Sequence, residues 1–285
     1  MSREQSPFAG RVCAITGAAS GIGRALAVEL ASRGADLALC DVNREGLEET
    51  ARRARLRGRA ASTWIVDVSD RDAVHRFADE VIREHERVDA IVNNAGVSLS
   101  QTFEECRYED IEWVLRINLW GVIHGTKAFL PHLRQRDTGW IVNISSVFGM
   151  VGAPTQSAYN VAKFGVRGLT ESLWQELADT GITVTSVHPG GIRTNIVRSG
   201  RFYRDERGGE DREGFVRRFD KLARTSAEEA GRVIADGMER RAPRVLIGTD
   251  ARIIDTIART APTRYPQISR ALFGLGRRRR RRDGT

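Results

Sequence analysis

Three residues of this 285-residue chain have types and spacing that could do chemistry together: Ser146, Tyr159 and Lys163. Tyr159 and Lys163 lie four apart, a spacing that in a helix stacks two side chains on one face with Cβ atoms about 5–6 Å apart. A phenol then stands beside a cation. Tyrosine normally loses its proton near pH ~10, and a positive neighbour within about 4–6 Å favours the charged form by roughly 1–3 units. A tyrosine tuned in this way works as an acid or a base near neutral pH. Ser146 lies thirteen residues upstream, just after the apolar run WIVNI (140–144), where it offers a hydroxyl from a strand end to whatever the tyrosine protonates. Ser145 takes that place if a bulge shifts the strand end. Spacing alone also fits a Tyr/Lys pair on a solvated helix face, so the elements around the three residues must decide.

A glycine loop near the N-terminus supplies the first of those elements. The apolar run VCAIT (12–16) leads into GAASGIG and then RALAVELASRG, whose apolar residues recur at helical spacing until Gly34 stops them. Gly17, Gly21 and Gly23 therefore join a strand to a helix. Glycine allows a sharp turn and close backbone approach, and the N-terminus of the following helix presents free N–H groups to a phosphate. The spacing is G-x-x-x-G-x-G rather than G-x-G-x-x-G, but Asp41 answers it at the end of the next apolar run, eighteen residues after Gly23. An acid there accepts hydrogen bonds from adenosine ribose hydroxyls and repels a 2′-phosphate. This predicts NAD rather than NADP, with Arg44 the neighbouring side chain that could accommodate the phosphate.

The same alternation continues. Apolar runs at 35–41, 62–70, 88–96, 140–146, 182–190 and 243–248 follow the first, separated by helix candidates at 44–57, 71–86, within 109–135 and within 157–180. Strands separated by helices need crossover connections, which produce a parallel sheet covered on both faces. The expected architecture is one doubly wound α/β domain over residues 1–250. Residues 191–226 interrupt the alternation with a glycine-rich, charged stretch that also carries Ile192, Ile196, Phe202, Tyr203, Phe215 and Phe219. A connection of that length with large apolar groups reads as a lid over a site. Residues 251–276 have helical apolar spacing broken by Pro262 and Pro266, and are expected to be a helical extension packed on protein.

Composition narrows the class further. With 41% hydrophobic and 29% charged residues the chain is a globular one, and no apolar run approaches the roughly 18–20 residues that span a bilayer. The start MSREQSPFAG lacks a signal-peptide core, which makes the cytoplasm the expected location. The net charge of +8 is concentrated at the end: Arg277–Arg282 and Asp283 leave +5 of it in the last nine residues. Residues 277–285 are expected to be a solvated tail, with nucleic acid or anionic lipid as the alternative partner. Cys13, Cys40 and Cys106 form no C-x-x-C pair, and the five histidines show no paired ligand spacing, so neither a disulfide framework nor a metal site is indicated. There is no G-x-S-x-G elbow of a serine hydrolase.

TGAASGIG (16–23), Asp67-Val68, NNAG (93–96), Asn118 in RINLWG, Ser146, Tyr159-x-x-x-Lys163 and PGGIRT (189–194) stand in one order along the chain. Together they resemble the short-chain dehydrogenase/reductase family. The resemblance implies a Rossmann-type domain with a seven-stranded parallel sheet, and a reaction in which hydride passes between a nicotinamide and a substrate carbon. It makes Tyr159 the proton donor or acceptor, Lys163 the group that lowers the tyrosine's pKa and holds the nicotinamide ribose, and Ser146 the partner of the substrate oxygen. Asn118 would anchor a water that links the lysine to solvent, or else simply bond backbone within its helix. The loop around Gly17, Ser20, Gly21, Ile22 and Gly23 would hold the diphosphate. Asp67 and Val68 would flank the adenine, Asn94, Ala95 and Gly96 the adenosine ribose, and Pro189, Gly190, Ile192 and Thr194 the nicotinamide.

The rival function is a non-catalytic, cofactor-sensing protein of the same fold that uses its arginine tail for contact, but the tyrosine and lysine are both in place. For the substrate, Val97 to Leu99, Val147, Phe148, Met150, Val151 and the 191–226 segment form a mostly apolar candidate wall. A hydrophobic secondary alcohol or ketone, such as a steroid, retinoid or lipid derivative, is expected over a sugar. The resemblance further implies a homodimer or homotetramer built on the helices at 109–135 and 157–180.

Overall fold

At the centre of the computed structural model, which describes residues 6–272, lies β1 (Val12–Thr16), every residue of it buried. Small and branched apolar side chains suit a strand covered on both faces. β2 (Asp36–Asp41) and β3 (Ala61–Ile65) extend the sheet on one side of β1. On the other side come β4 (Ala90–Asn93), β5 (Gly139–Ile144), β6 (Ile182–Pro189) and β7 (Arg244–Ile247). The order is β3-β2-β1-β4-β5-β6-β7 and every pairing is parallel. The direction of winding therefore reverses between β1 and β4. In open parallel sheets such a reversal opens a crevice at the carboxyl ends of the strands, where ligands bind.

Side chains of successive strand residues alternate between two cores. Cys13, Ile15, Leu37 and Leu39 meet α1 (Gly21–Ser32), α2 (Arg44–Arg55) and α9 (Ala227–Glu239). Val12, Ala14, Ala38 and Cys40 face the other way, toward α3 (Arg71–His85), α5 (Gly121–Arg136) and α6 (Ser157–Glu176). A polar ladder crosses this second core. Asn93 Nδ2 donates to Asn143 Oδ1 at 2.8 Å and to Thr126 Oγ1 at 3.1 Å, and Asn143 Nδ2 donates to Thr170 Oγ1 at 3.1 Å. Buried amides are costly unless paired, so the ladder fixes the height and rotation of α5 and α6 on β4 and β5.

Two segments depart from simple expectation. The helix expected within 109–135 is α4 (Tyr108–Leu115) and α5 joined by one π-helical turn, Arg116–Trp120, which inserts an extra residue and turns Asn118 fully inward. The long 191–226 stretch is folded: two-residue strands pair Ile192 with Thr225 and Leu99 with Arg201, and it contains two helices, α7 (Ile196–Ser199) and α8 (Arg212–Leu222). After β7 the chain forms α10 (Thr249–Thr260) and α11 (Tyr265–Leu272). Pro266 was expected to break a helix, yet it is the second residue of α11, where no backbone donor is required. The arginine run 277–282 lies outside the described residues. Among the described residues no helix is long and apolar enough to cross a membrane, and no group of His, Cys, Asp or Glu is arranged to hold a metal.

Candidate active site

The glycine loop is shaped by space rather than by flexibility alone. A Cβ on Gly17, at φ +65, would come within 2.6 Å of the Ala95 backbone, and one on Gly23 within 2.3 Å of the Gly17 carbonyl. Gly21 has φ +53 and faces Thr194, whose Cγ2 would sit 3.2 Å from a Cβ there. Ser20 stands at the N-cap of α1 without capping it by its side chain, so the first-turn N–H groups of α1 remain available. The loop is held from two sides. Thr16 Oγ1 accepts from the N–H groups of Asn94 and Ala95 at 3.0 and 3.1 Å, and Asn94 Nδ2 donates to the carbonyls of Thr16 and Gly17 at 2.9 and 3.0 Å. Asp41 accepts from Ala19 N and Asn43 N, each at 2.9 Å, so its carboxylate is fixed at the rim of the loop. Arg24 is spent on the carbonyls of Ala19 and Gly46 and on Thr50, while Arg44 is exposed at the start of α2. Such a cradle, with glycines where a Cβ would clash and an acid at the next strand end, fits a dinucleotide.

Tyr159 and Lys163 stand on α6, and Ser146 lies two residues past the end of β5 at the carboxyl edge. Lys163 is 3% exposed, its Nζ donates to Ile144 O at 2.8 Å, and it lies 5.6 Å from the centroid of the Tyr159 ring. Ser146 Oγ accepts from Phe148 N at 3.1 Å, and a hydrogen bond with Tyr159 favours the phenolate. The proximity agrees with the spacing, but the expected lowering of the tyrosine does not hold. Burial dominates and pushes the Tyr159 phenol up to about 12, against the opposing hydrogen bond from Ser146. Burial pushes the Lys163 ammonium down to about 8. Both shifts disfavour charge in a desolvated site. Ser145 is not the alternative: its hydroxyl donates to Lys163 O at 2.9 Å and pins α6 to the strand end.

Asn118 is absorbed by backbone. Its Oδ1 accepts from Val97 N at 2.8 Å and its Nδ2 donates to Val97 O at 2.9 Å, holding the loop after β4 beside Gly96. A Cβ on Gly96 would be 3.3 Å from Asn118 Oδ1 and 3.7 Å from Lys163 Nζ, so this loop, the lysine and the π-turn converge on one point. Asp67 is exposed and accepts from Ser69 N at 2.9 Å, whereas Val68 is buried under Gly121. Pro189 ends β6, Gly190 and Gly191 follow, and Thr194 comes back over Gly21. The Ile192 side chain, expected to meet the nicotinamide, is 4% exposed and packs in the first core. Of the apolar wall candidates, Val147, Met150 and Val151 are buried against Ala251 and Ile254, and Leu99 packs under α4 and α6. Phe148 remains at the site, edge-on to Tyr159 with ring centroids 6.3 Å apart.

Three further residues shape the site without a signal that spacing could supply. Asn160, next to the tyrosine, accepts from Ala153 N at 3.1 Å and donates to the carbonyls of Phe148 and Val151 at 2.7 and 2.8 Å. His188 is fully buried, its Nδ1 lies 3.0 Å from Ser146 O and its Nε2 2.9 Å from Ser186 Oγ. The carbonyl partner requires the proton on Nδ1, and burial pushes this imidazole down to about 4. Asp250 on α10 accepts from Gly191 N at 2.6 Å. Each lies far in sequence from, or is hidden beside, the motif that it supports.

Comparison with known proteins agrees with this geometry. The family described as short chain dehydrogenase matches residues 11–202. SadH of Mycobacterium tuberculosis is 43% identical over 266 residues, covering 92% of this chain and 95% of SadH. Levodione reductase of Leifsonia aquatica is 38% identical over 210 residues, covering 70% of this chain and 77% of that protein. Among solved structures, a short chain dehydrogenase/reductase from Burkholderia phymatum in complex with NAD superimposes with a TM-score of 0.79 at 28% identity, covering 92% of this chain and 95% of that one. With its motifs, its sheet order and these relatives in agreement, the chain belongs to the short-chain dehydrogenase/reductase family of oxidoreductases.

Proposed function

We propose that this protein is a nicotinamide-dependent oxidoreductase that interconverts a secondary alcohol and a ketone, with Tyr159 as its acid and base. The observation that carries the reading is the convergence of Ser146, Tyr159 and Lys163 with Gly96 and the glycine cradle at the carboxyl edge of one sheet. The bound nicotinamide would supply or take the hydride, and every other task falls to the chain. In reduction the neutral phenol of Tyr159 gives its proton to the substrate oxygen. Ser146 steadies the charge that gathers on that oxygen, as preorganised donors do in water-poor sites. Lys163, held by Ile144 O, is the cation beside the tyrosine and the donor for ribose hydroxyls. In oxidation the phenolate takes the proton back.

NAD is the preferred cofactor in this reading, because the Asp41 carboxylate sits at the rim of the loop and Arg24 is already bonded to backbone. The Burkholderia phymatum relative in complex with NAD supports the nicotinamide. A hydrophobic ketone is favoured by Phe148 beside Tyr159, by the Phe202–Phe215 ring pair in the 191–226 segment, and by a relative named for reducing levodione. The 191–226 segment would act as the lid. The enzyme would work in the cytoplasm as a homodimer or homotetramer. Tyr159→Phe tests the mechanism: turnover of a panel of alcohols and ketones, followed by nicotinamide absorbance, should fall by about 10²–10⁴-fold, the usual range for a positioned acid or base, while cofactor affinity stays intact. Retained turnover would refute Tyr159 as the acid. Preference for polyols over steroids, retinoids and lipid alcohols would refute the substrate class.

A further inference from the structure

Helices α10 and α11 lie beyond the 11–202 stretch that carries the family match, yet both reach back to the walls of the site. Asp250, in the first turn of α10, accepts from Gly191 N at 2.6 Å, and its carboxylate fills the space over Gly190, where a Cβ would lie 2.3 Å from both oxygens. Gly248, at φ +94, turns the chain from β7 into α10, and a Cβ there would lie 2.4 Å from the same carboxylate. Glycines on two separate segments thus make room for one acid. On the other wall, Tyr265 Oη accepts from Gly152 N at 3.1 Å. Tyr265, Ile254 and Ala258 pack with Val147, Met150 and Val151 behind Phe148. Arg244 bonds both oxygens of Asp255 at 2.6 and 2.9 Å, which fastens α10 to β7.

We propose that the α10–α11 arm is a positioning element of the active site: Asp250 sets the 189–191 loop on the nicotinamide side, and Tyr265 with Ile254 sets the 147–152 loop that presents Phe148 to the substrate. The arm then helps to select the substrate body, because Phe148 is backed by it on one side and faces Tyr159 on the other. Asn160 holds the same loop from inside, so the loop is gripped from both faces and its position is determined by the arm as much as by α6. What the two loops bind rests on the oxidoreductase reading; the grip itself does not.

A plain buttress and a positioning element differ in what their loss changes. In the full-length chain, Tyr265→Phe should speed amide exchange over 147–153 and raise substrate KM about 3- to 10-fold, the effect of one lost hydrogen bond, with cofactor affinity unchanged within about twofold. Asp250→Ala should speed exchange over 189–193 and weaken cofactor binding about 10-fold or more, because Gly191 N loses a charged acceptor. Asp250→Asn, whose amide oxygen still accepts, should recover most of that loss. Thr256→Ala, on the exposed face of α10, should change neither loop. Unchanged exchange in both loops, or a fall in melting temperature with KM and cofactor affinity untouched, would overturn the proposal. Absence of turnover by the unmodified enzyme on every alcohol and ketone would instead overturn the oxidoreductase reading, while exchange still reports on the arm.

Discussion

At the residue scale, burial bears directly on the acid and base role proposed for Tyr159. With the Tyr159 phenol pushed up to about 12 and Lys163 down to about 8, the tyrosine is neutral at pH 7 and ready to donate, while the lysine keeps its charge. Raising the pH through about 8 removes the lysine cation, and raising it further favours the phenolate. Ketone reduction should therefore be flat up to about pH 8 and decline above it, whereas alcohol oxidation should rise with pH; matched kcat/KM profiles in both directions check this. His188 makes a second prediction. Its folded pKa of about 4 lies below the ordinary histidine value of about 6.5, so the folded state binds fewer protons than the unfolded one. Stability from its neutral form is complete above about pH 6.5 and is lost as pH falls toward 4, at no more than about 1.4 kcal/mol per pH unit. His188→Asn keeps a donor for Ser146 O and should flatten that acid slope in urea titrations while retaining most activity. His188→Leu leaves Ser146 O without its donor and should lower kcat by about 10-fold, in line with the cost of one unmet buried carbonyl.

At the element scale, the glycine loop is the most constrained piece of the cradle. Gly23→Ala would drive a methyl into the Gly17 carbonyl and the Asn94 amide, so cofactor binding should be lost, which equilibrium titration would detect. Asp41→Ala should relax the choice between NAD and NADP, at the expense of a looser loop, because Ala19 N loses its acceptor. A ratio of cofactor affinities unchanged by Asp41→Ala would refute the assignment of selectivity to that acid. These elements were legible in sequence because their constraints are local: strand, glycines, helix and acid follow one another, and Tyr159 and Lys163 share one helix face. Less local features were hidden. Asn143, Thr170, Asp250 and Tyr265 act across 27 to 113 residues of chain, and nothing in their neighbourhood marks them. The shift of Tyr159 was misjudged for a related reason: helical spacing gives the neighbour, but the depth of burial that outweighs it comes from the whole fold.

At the scale of the whole molecule, the helices that carry the site also carry an unpartnered face. Along α6, Val161 is 58% exposed and Phe164 42% exposed, with Gly168 one further step along the same side and no heavy atom within 4 Å of where its Cβ would be. Trp120, at the π-turn beside it, is 51% exposed. The inward face of the same helix bears Lys163, Ala162 and Val166, so outward and inward roles are divided residue by residue. An apolar stripe with a glycine allows a second helix to approach closely, and a closed two-fold pairing would bury the stripe against its own copy. We propose pairing through α5 and α6, in a homodimer or within a homotetramer, which would brace the helix that holds Tyr159. Phe164→Glu places a charge in that seam twice, once from each copy, and should yield monomers at micromolar concentration by sedimentation velocity. Because α6 is also tied to the sheet by Ser145, Asn143 and Lys163, the monomer should remain folded, and any fall in kcat would measure what the partner contributes to the placement of the tyrosine. An unchanged sedimentation coefficient in Phe164→Glu would remove this face as the seam.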